Sequence, residues 1–193
     1  MLNFNIGLVV NNRYHENRGC IMDVYALLGE VKNGGVSIEQ AAEKLKQLPY
    51  EDLGFARVDH HRKLRTGCAE VIFCQGKTAE QVAVIFSRLA EAGSNVLATR
   101  ANEEQYQEVK KRIPRAVFHE TAKTITLIVE NVQKGLVAVC TGGTADIPVA
   151  EEAAITAEIF GARVERIYDV GVSGVHRLLH KIPQINEANA IVA

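Results

Sequence analysis

The sequence predicts an α/β protein in two parts: an α+β domain, then a doubly wound parallel sheet whose last strands are missing. Leu136 to Cys140 (LVAVC) is an unbroken apolar run, the kind of strand that a parallel sheet buries on both faces. From there strand, helix, strand, turn, helix and strand alternate to the last residue, the grammar of a wound parallel sheet. Before residue 130 the elements are shorter, with charges, histidines and glycines packed between them.

Each element rests on a local pattern. Residues 1–22 match none and form an unassigned extension; the α+β domain is expected over 23–130 and the parallel sheet over 131–193. Val24, Leu27, Leu28 and Val31 recur at helical spacing, and Gly34-Gly35 ends that helix. Ser37, with Gln40 three places on, is a capping box for a second helix. Its apolar face is Ile38, Ala41, Ala42, Leu45 and Leu48, and Pro49 stops it. Glu70 to Cys74 (EVIFC) and Asn95 to Thr99 (NVLAT) read as strands. Between them Thr78 and Gln81 cap a helix carrying Val82, Ile85, Phe86 and Leu89. A helix near 102–112 and short strands at 116–118 and 124–129 complete the first domain. After a turn at 131–135, strand 136–140 leads into a helix from about Ile147 to Phe160, closed by Gly161. Arg163 to Tyr168 is the next strand, a helix runs through Leu178, and Asn189 to Ala193 is a third strand.

Composition excludes several classes. The 193 residues carry 22 basic and 23 acidic side chains, a net charge of −1, which argues against a nucleic-acid binder held by bulk electrostatics. No apolar run approaches the length of a membrane span. The N-terminus lacks the basic region and small-residue cleavage site of a signal peptide. Cys20, Cys68, Cys74 and Cys140 form no CxxC pair and no zinc-ligand spacing. They are expected to be reduced and small, buried hydrophobes, in a cytoplasmic protein.

The candidate chemistry sits in two glycine turns. In CTGGTADIPVAEEA (140–153), Gly142 and Gly143 let the backbone approach a ligand, Thr144 offers a hydroxyl, and the helix start favours a phosphate or carboxylate. Asp146 would repel such an anion, so it caps the helix or accepts hydrogen bonds from sugar hydroxyls. The residues leave an anion site and a plain tight turn equally open. In DVGVSGVHR, Ser173, His176 and Arg177 start the next helix. Neighbouring parallel strands would bring both turns onto one rim, where ligands of such sheets bind. There Arg177 can fork two hydrogen bonds to phosphate and His176 can shuttle a proton, the bland alternative being a solvated helix start. Gly76-Lys77-Thr78 falls short of a P-loop, because Val71 stands where that pattern needs glycine; Lys77 remains an anion contact. Asp59, His60 and His61 are disfavoured as a chelate because adjacent histidines point apart, and no metal site is expected. Arg62 and Arg65 would share one helical face, as a polyanion clamp or as wet surface.

The segments LPYEDLGFARVDHHRKLRTGCAEVIFCQGKT, GGTADIPVAEEA and YDVGVSGVHRLL together resemble the LarB family of nickel-pincer cofactor biosynthesis, over roughly residues 23–193. The second half also resembles the PurE-type aminoimidazole ribonucleotide carboxylase domain, a flavodoxin-like sheet. Its phosphate loop and Ala-His-Arg turn correspond to Gly143–Asp146 and Gly174–Arg177. The resemblance implies carboxylation of the pyridinium ring of nicotinic acid adenine dinucleotide at C5, with carbon dioxide or bicarbonate as second substrate. It also implies hydrolysis of the phosphoanhydride, giving pyridinium-3,5-biscarboxylic acid mononucleotide and AMP. No firmly bound cofactor is implied; a divalent ion such as magnesium would assist, and a homo-oligomer would share sites between subunits.

On that resemblance Arg62, Arg65, Lys77, the 142–144 turn and Arg177 would serve the pyrophosphate, while Asp59, Glu70 and Asp146 would favour the cationic ring. Adding a thiolate across the ring would make it nucleophilic enough to be carboxylated. The family's cysteine for that step lies well downstream of the quoted segments, and none of Cys68, Cys74 and Cys140 inherits its role. The chain stops at NAIVA, inside an apolar strand, so a C-terminally shortened member that binds nucleotide without turnover is expected. Two alternatives stand beside it: a PurE-like carboxylase of purine biosynthesis, and a non-catalytic nucleotide-binding or assembly module.

Overall fold

A computed structural model describes residues 24–46, 50–59, 62 and 69–193. The extension 1–22, and with it Cys20, lies outside the described residues, as do Leu48, Pro49, His60, His61, Arg65 and Cys68. The chain divides into two compact units, Met1–Asp52 and Leu53–Ala193.

In the first unit, α1 (Val24–Lys32) ends at Gly34, whose φ of +74° is a left-handed conformation open to glycine. The capping box forms as expected: the Ser37 hydroxyl accepts from Gln40 N–H, and the Gln40 side chain accepts from Ser37 N–H, both at 3.1 Å. It starts α2 (Ile38–Lys46), and a short strand, β1 (Glu51–Asp52), follows. Leu27 and Ala41 are buried, but Ile38 is 72% exposed and Ala42 is exposed, so the apolar face is narrower than expected. Ile38 sits on the open first turn, where the chain has no preceding helical turn to cover it.

The second unit begins with β2 (Arg57–Val58) and then builds a mixed sheet. Its elements are β3 (Val71–Phe73), α3 (Ala79–Glu91), β4 (Val96–Thr99), α4 (Glu103–Arg112), β5 (Val117–His119) and β6 (Thr124–Leu127). The strand order is β3-β4-β6-β5, with β3 and β4 parallel and the other pairs antiparallel. Thr78 and Gln81 cap α3 reciprocally, which turns Val82, Ile85, Phe86 and Leu89 onto the sheet; all four are buried. Each such side chain contributes roughly 1.5–3 kcal/mol by leaving water. Val96, Ala98, Ile125 and Leu127 complete that core from one sheet face.

Leu97, on the opposite face, packs instead with Ala122, Ile155 and Ile159. The last two belong to α5 (Ile147–Ile159), which follows the second sheet's first strand. That sheet has β7 (Leu136–Cys140), β8 (Arg163–Ile167) and β9 (Ala190–Val192), all parallel, with β7 central in the order β8-β7-β9. Val139 meets Ala150 and Ala154 of α5 on one face. Ala138 and Ile167 meet Ile185 of α6 (Val175–Asn186) on the other. This is the doubly wound pattern expected, with helices on both faces of a parallel sheet. Helix α5 is apolar on two sides because it lies between two sheets, Ala150 and Ala154 toward one and Ile155 and Ile159 toward the other. The boundary expected at 130/131 therefore falls inside one compact unit.

An ion network reinforces this joint. Arg166 grips Glu158 with both terminal nitrogens, at 2.6 and 3.2 Å, and reaches Glu151 through Nε at 3.2 Å. Tyr168 O–H donates to Glu151 at 2.8 Å, and Arg100 pairs with Glu152 at 2.8 Å. Half-buried His119 stands in the same field, its Nε2 3.0 Å from the Thr126 hydroxyl. Burial lowers the His119 pKa; Glu158 and Glu151 oppose the shift and Arg166 adds to it. The folded chain thus holds that proton less readily than the unfolded one. Its contribution is intact above the ordinary histidine value, about 6.5, and is lost as pH falls from there through the folded value. We expect the urea midpoint to drop between pH 7 and pH 5, and less steeply in His119→Gln. Equal slopes in the two proteins would remove His119 as the cause.

Candidate functional site

Parallel pairing fixes where the two glycine turns go. Cys140 stands opposite Ile167 in the β7–β8 register, so the segments leaving both strands rise from the same carboxyl edge. Buried Thr141 clasps them. Its N–H donates to Ile167 C=O at 3.1 Å, its C=O accepts from Val170 N–H at 2.9 Å, and its hydroxyl accepts from Asp169 N–H at 3.1 Å. Gly142 and Gly171 then lie backbone against backbone: a Cβ built on Gly171 would stand 2.4 Å from the Gly142 carbonyl oxygen.

A 3-10 turn, Thr144–Asp146, leads from this clasp into α5. Asp146 Oδ2 accepts the Gly143 N–H at 3.1 Å, closing the 3-10 turn without capping α5. The carboxylate thus occupies a backbone donor that a bare phosphate cradle would leave open. Thr144 is exposed. On the other turn, the 3-10 segment Val172–Gly174 leads into α6 and leaves Ser173 and His176 exposed. The Arg177 side chain folds over Gly174, where a Cβ would come within 2.5 Å of Nε, and pairs with Asp169.

Seven of the expected residues therefore share one rim: Gly142, Gly143, Thr144, Asp146, Ser173, His176 and Arg177. Asp169 joins them and was missed by sequence reasoning. Its signals were its place just beyond β8 and eight residues before an arginine that needs a counter-charge. The rim carries Asp146 and Asp169 beside His176 and Arg177, so it offers acceptors for hydroxyls and donors for an anion together.

The other expected residues lie elsewhere. Glu70 Oε2 accepts the Asp59 N–H at 2.8 Å, and both residues line a small hollow of about 20 Å³ beside Ser94 and Asn95. Ala69, Ser94 and Asn95 also line an adjoining cavity of about 130 Å³ that reaches Phe160 and Gly161, just before β8. That adjoining cavity thus reaches the residues before the amino end of β8, the end opposite the rim. Arg62 is exposed one turn after Asp59. Whether it shares a face with Arg65 falls outside the described residues. Lys77 turns its ammonium back to the Phe73 carbonyl at 2.7 Å, and Gln105 holds the Lys77 carbonyl at 2.8 Å. Glu70 and Lys77 flank opposite ends of β3, so one strand separates them.

The described cysteines are poor thiolates. Cys74 is fully buried, and burial pushes its thiol up to about 12 despite the opposing charge of Lys77. Burial also raises the Cys140 thiol. Among the described residues there is no group of three or more His, Cys, Asp or Glu side chains placed to hold a metal ion. No described helix is long and apolar enough to cross a membrane.

Residues 50–130 match the family model described as the LarB/PurE-like N-terminal domain. An uncharacterized protein of Methanocaldococcus jannaschii is 35% identical over 170 residues, which cover 83% of this chain and 66% of that protein. The chain thus spans about two thirds of the length of that relative. Residues 50–130 are thus a LarB/PurE-like N-terminal domain, which relates the chain to a carboxylase-type enzyme family.

Proposed function

We propose that this chain supplies the nucleotide-binding part of an enzyme that carboxylates the pyridinium ring of nicotinic acid adenine dinucleotide. The same enzyme hydrolyses the phosphoanhydride, giving pyridinium-3,5-biscarboxylic acid mononucleotide and AMP on the way to a nickel-pincer cofactor. The observation that supports this reading is the shared rim, where Gly142 abuts Gly171 and Arg177 stands over Gly174. Arg177 and the 142–144 backbone would take phosphate oxygens, and Thr144 and Ser173 would add hydroxyl donors. Asp146 would exchange its bond to Gly143 for ribose hydroxyls, and His176 would move protons. Asp169 holds Arg177 in place. Asp59 and Glu70 would favour the cationic ring, magnesium would assist at the phosphates, and a homo-oligomer would share sites between copies.

The ring needs a thiolate added across it before it can attack carbon dioxide or its hydrated form. Neither Cys74 nor Cys140 is fitted to supply one. Calorimetry with the dinucleotide, aminoimidazole ribonucleotide as competitor, and labelled bicarbonate together test the reading. The expected result is dinucleotide binding weakened about tenfold or more in Arg177→Ala, with no label entering the ring. Preference for the purine precursor would replace the proposed substrate. Label in the ring would show that a cysteine of residues 1–193 is the nucleophile.

A further inference from the structure

We infer that His176 and His180 form a two-imidazole site for a borderline transition ion of the zinc or copper(II) class. The two residues are four apart in α6, so their Cβ atoms stand on one face about 5–6 Å apart. At 100° per residue their common direction is roughly 170° around the helix from Leu178 and Ile185, which pack against the sheet. Both histidines are exposed, and among the described residues neither ring has a hydrogen-bond or ion-pair partner. Two rings so placed can each turn one nitrogen to a common point about 2.0–2.1 Å away, with water filling the remaining positions.

The surrounding charges permit it. Arg177, the cation between them in sequence, is drawn onto Asp169 and its charge is offset there. Lys181 follows His180 but points about 100° away around the helix. Imidazole selects ions late in the divalent series over magnesium, which prefers oxygen ligands. The site is therefore different from any magnesium that a phosphate would bring, and it requires no nucleotide. His176 stands on the first turn of α6, so such an ion would lie on the solvent side of the helix end nearest the rim.

Titrating zinc chloride into the full chain at pH 7.5, without nucleotide, tests this directly. We expect an uptake of one ion per chain that disappears in the His176→Ala, His180→Ala double variant. Each single variant should weaken that binding at least about tenfold. The electron paramagnetic spectrum of bound copper(II) should show coupling to two nitrogens in the parent and to one in His180→Gln. Excess magnesium chloride should not compete. Identical zinc uptake in the parent and the double variant, or a one-nitrogen copper spectrum in the parent, would overturn the assignment. Both positions face solvent, so circular dichroism should be unchanged in every variant.

Discussion

Replacing Gly171 with valine is expected to prise the two rim turns apart and to weaken nucleotide binding at least about tenfold. A Cβ at this position would meet the Gly142 carbonyl oxygen at 2.4 Å, its carbon at 3.1 Å and its Cα at 3.3 Å. All three atoms are backbone, so no flexible side chain can swing aside. Either β7 or β8 must yield at its carboxyl end, and the Thr141 clasp that joins them must loosen. Overpacking of this kind costs about 1–3 kcal/mol, and the second branch of valine places it at the upper end. The contrast is Gly142→Ala, whose new Cβ would meet nothing closer than 3.9 Å and should shift stability by no more than about 0.5 kcal/mol. Urea unfolding and dinucleotide calorimetry on both variants decide the matter. Parent-like affinity in Gly171→Val would mean that close approach of the two turns has no part in binding.

Much of this was legible in the sequence because the rules involved are local. The Ser37–Gln40 and Thr78–Gln81 boxes announce their helices at a fixed spacing of three, and Gly161 closes α5 with a φ of +89°. The rim was legible for a further reason: once 136–140 and 163–168 are read as neighbouring parallel strands, their following turns must share an edge. What stayed hidden depends on partners far apart in the chain. The order β3-β4-β6-β5 is set by which faces pack on α3 and α5, and strand sequence alone does not encode it. Strand β2 was overlooked because two residues show no period, although Val58 is buried in the main core. Arg166 reads as a surface charge within RVERIY, yet it faces α5 and finds Glu151 and Glu158 there. The bond from the Asp59 N–H to Glu70 spans eleven residues of chain, beyond the reach of local rules, and satisfies a backbone donor.

Asn95 concentrates the long-range part of the fold in one side chain, and Asn95→Asp is expected to cost at least as much as Asn95→Ala. Its Oδ1 accepts the N–H groups of Val129 and Glu130 at 2.8 and 2.9 Å. Its Nδ2 donates to the carbonyls of Glu130 and Ile159 at 2.9 and 3.2 Å. One amide therefore ties the start of β4, the segment after β6 and the last turn of α5, the helix shared by the two sheets. Truncation to alanine forfeits these bonds at about 0.5–1.5 kcal/mol each, softened by water because the site is only half-buried. A total loss of roughly 1–4 kcal/mol follows if two or three of the bonds go unreplaced. Aspartate has nearly the same shape and keeps both accepted bonds, so shape alone would make it the milder change. Its second oxygen, however, would face the Glu130 and Ile159 carbonyls where a donor is needed, setting a negative charge against two acceptors. Hydrogen exchange should show faster opening at the C-terminal turn of α5 in both variants, alongside lower urea midpoints. An aspartate variant as stable as the parent would mean that the amide is not the donor to Ile159. The tie between the two sheets would then rest on the apolar contact of Leu97, Ala122, Ile155 and Ile159 and on the Arg100–Glu152 pair.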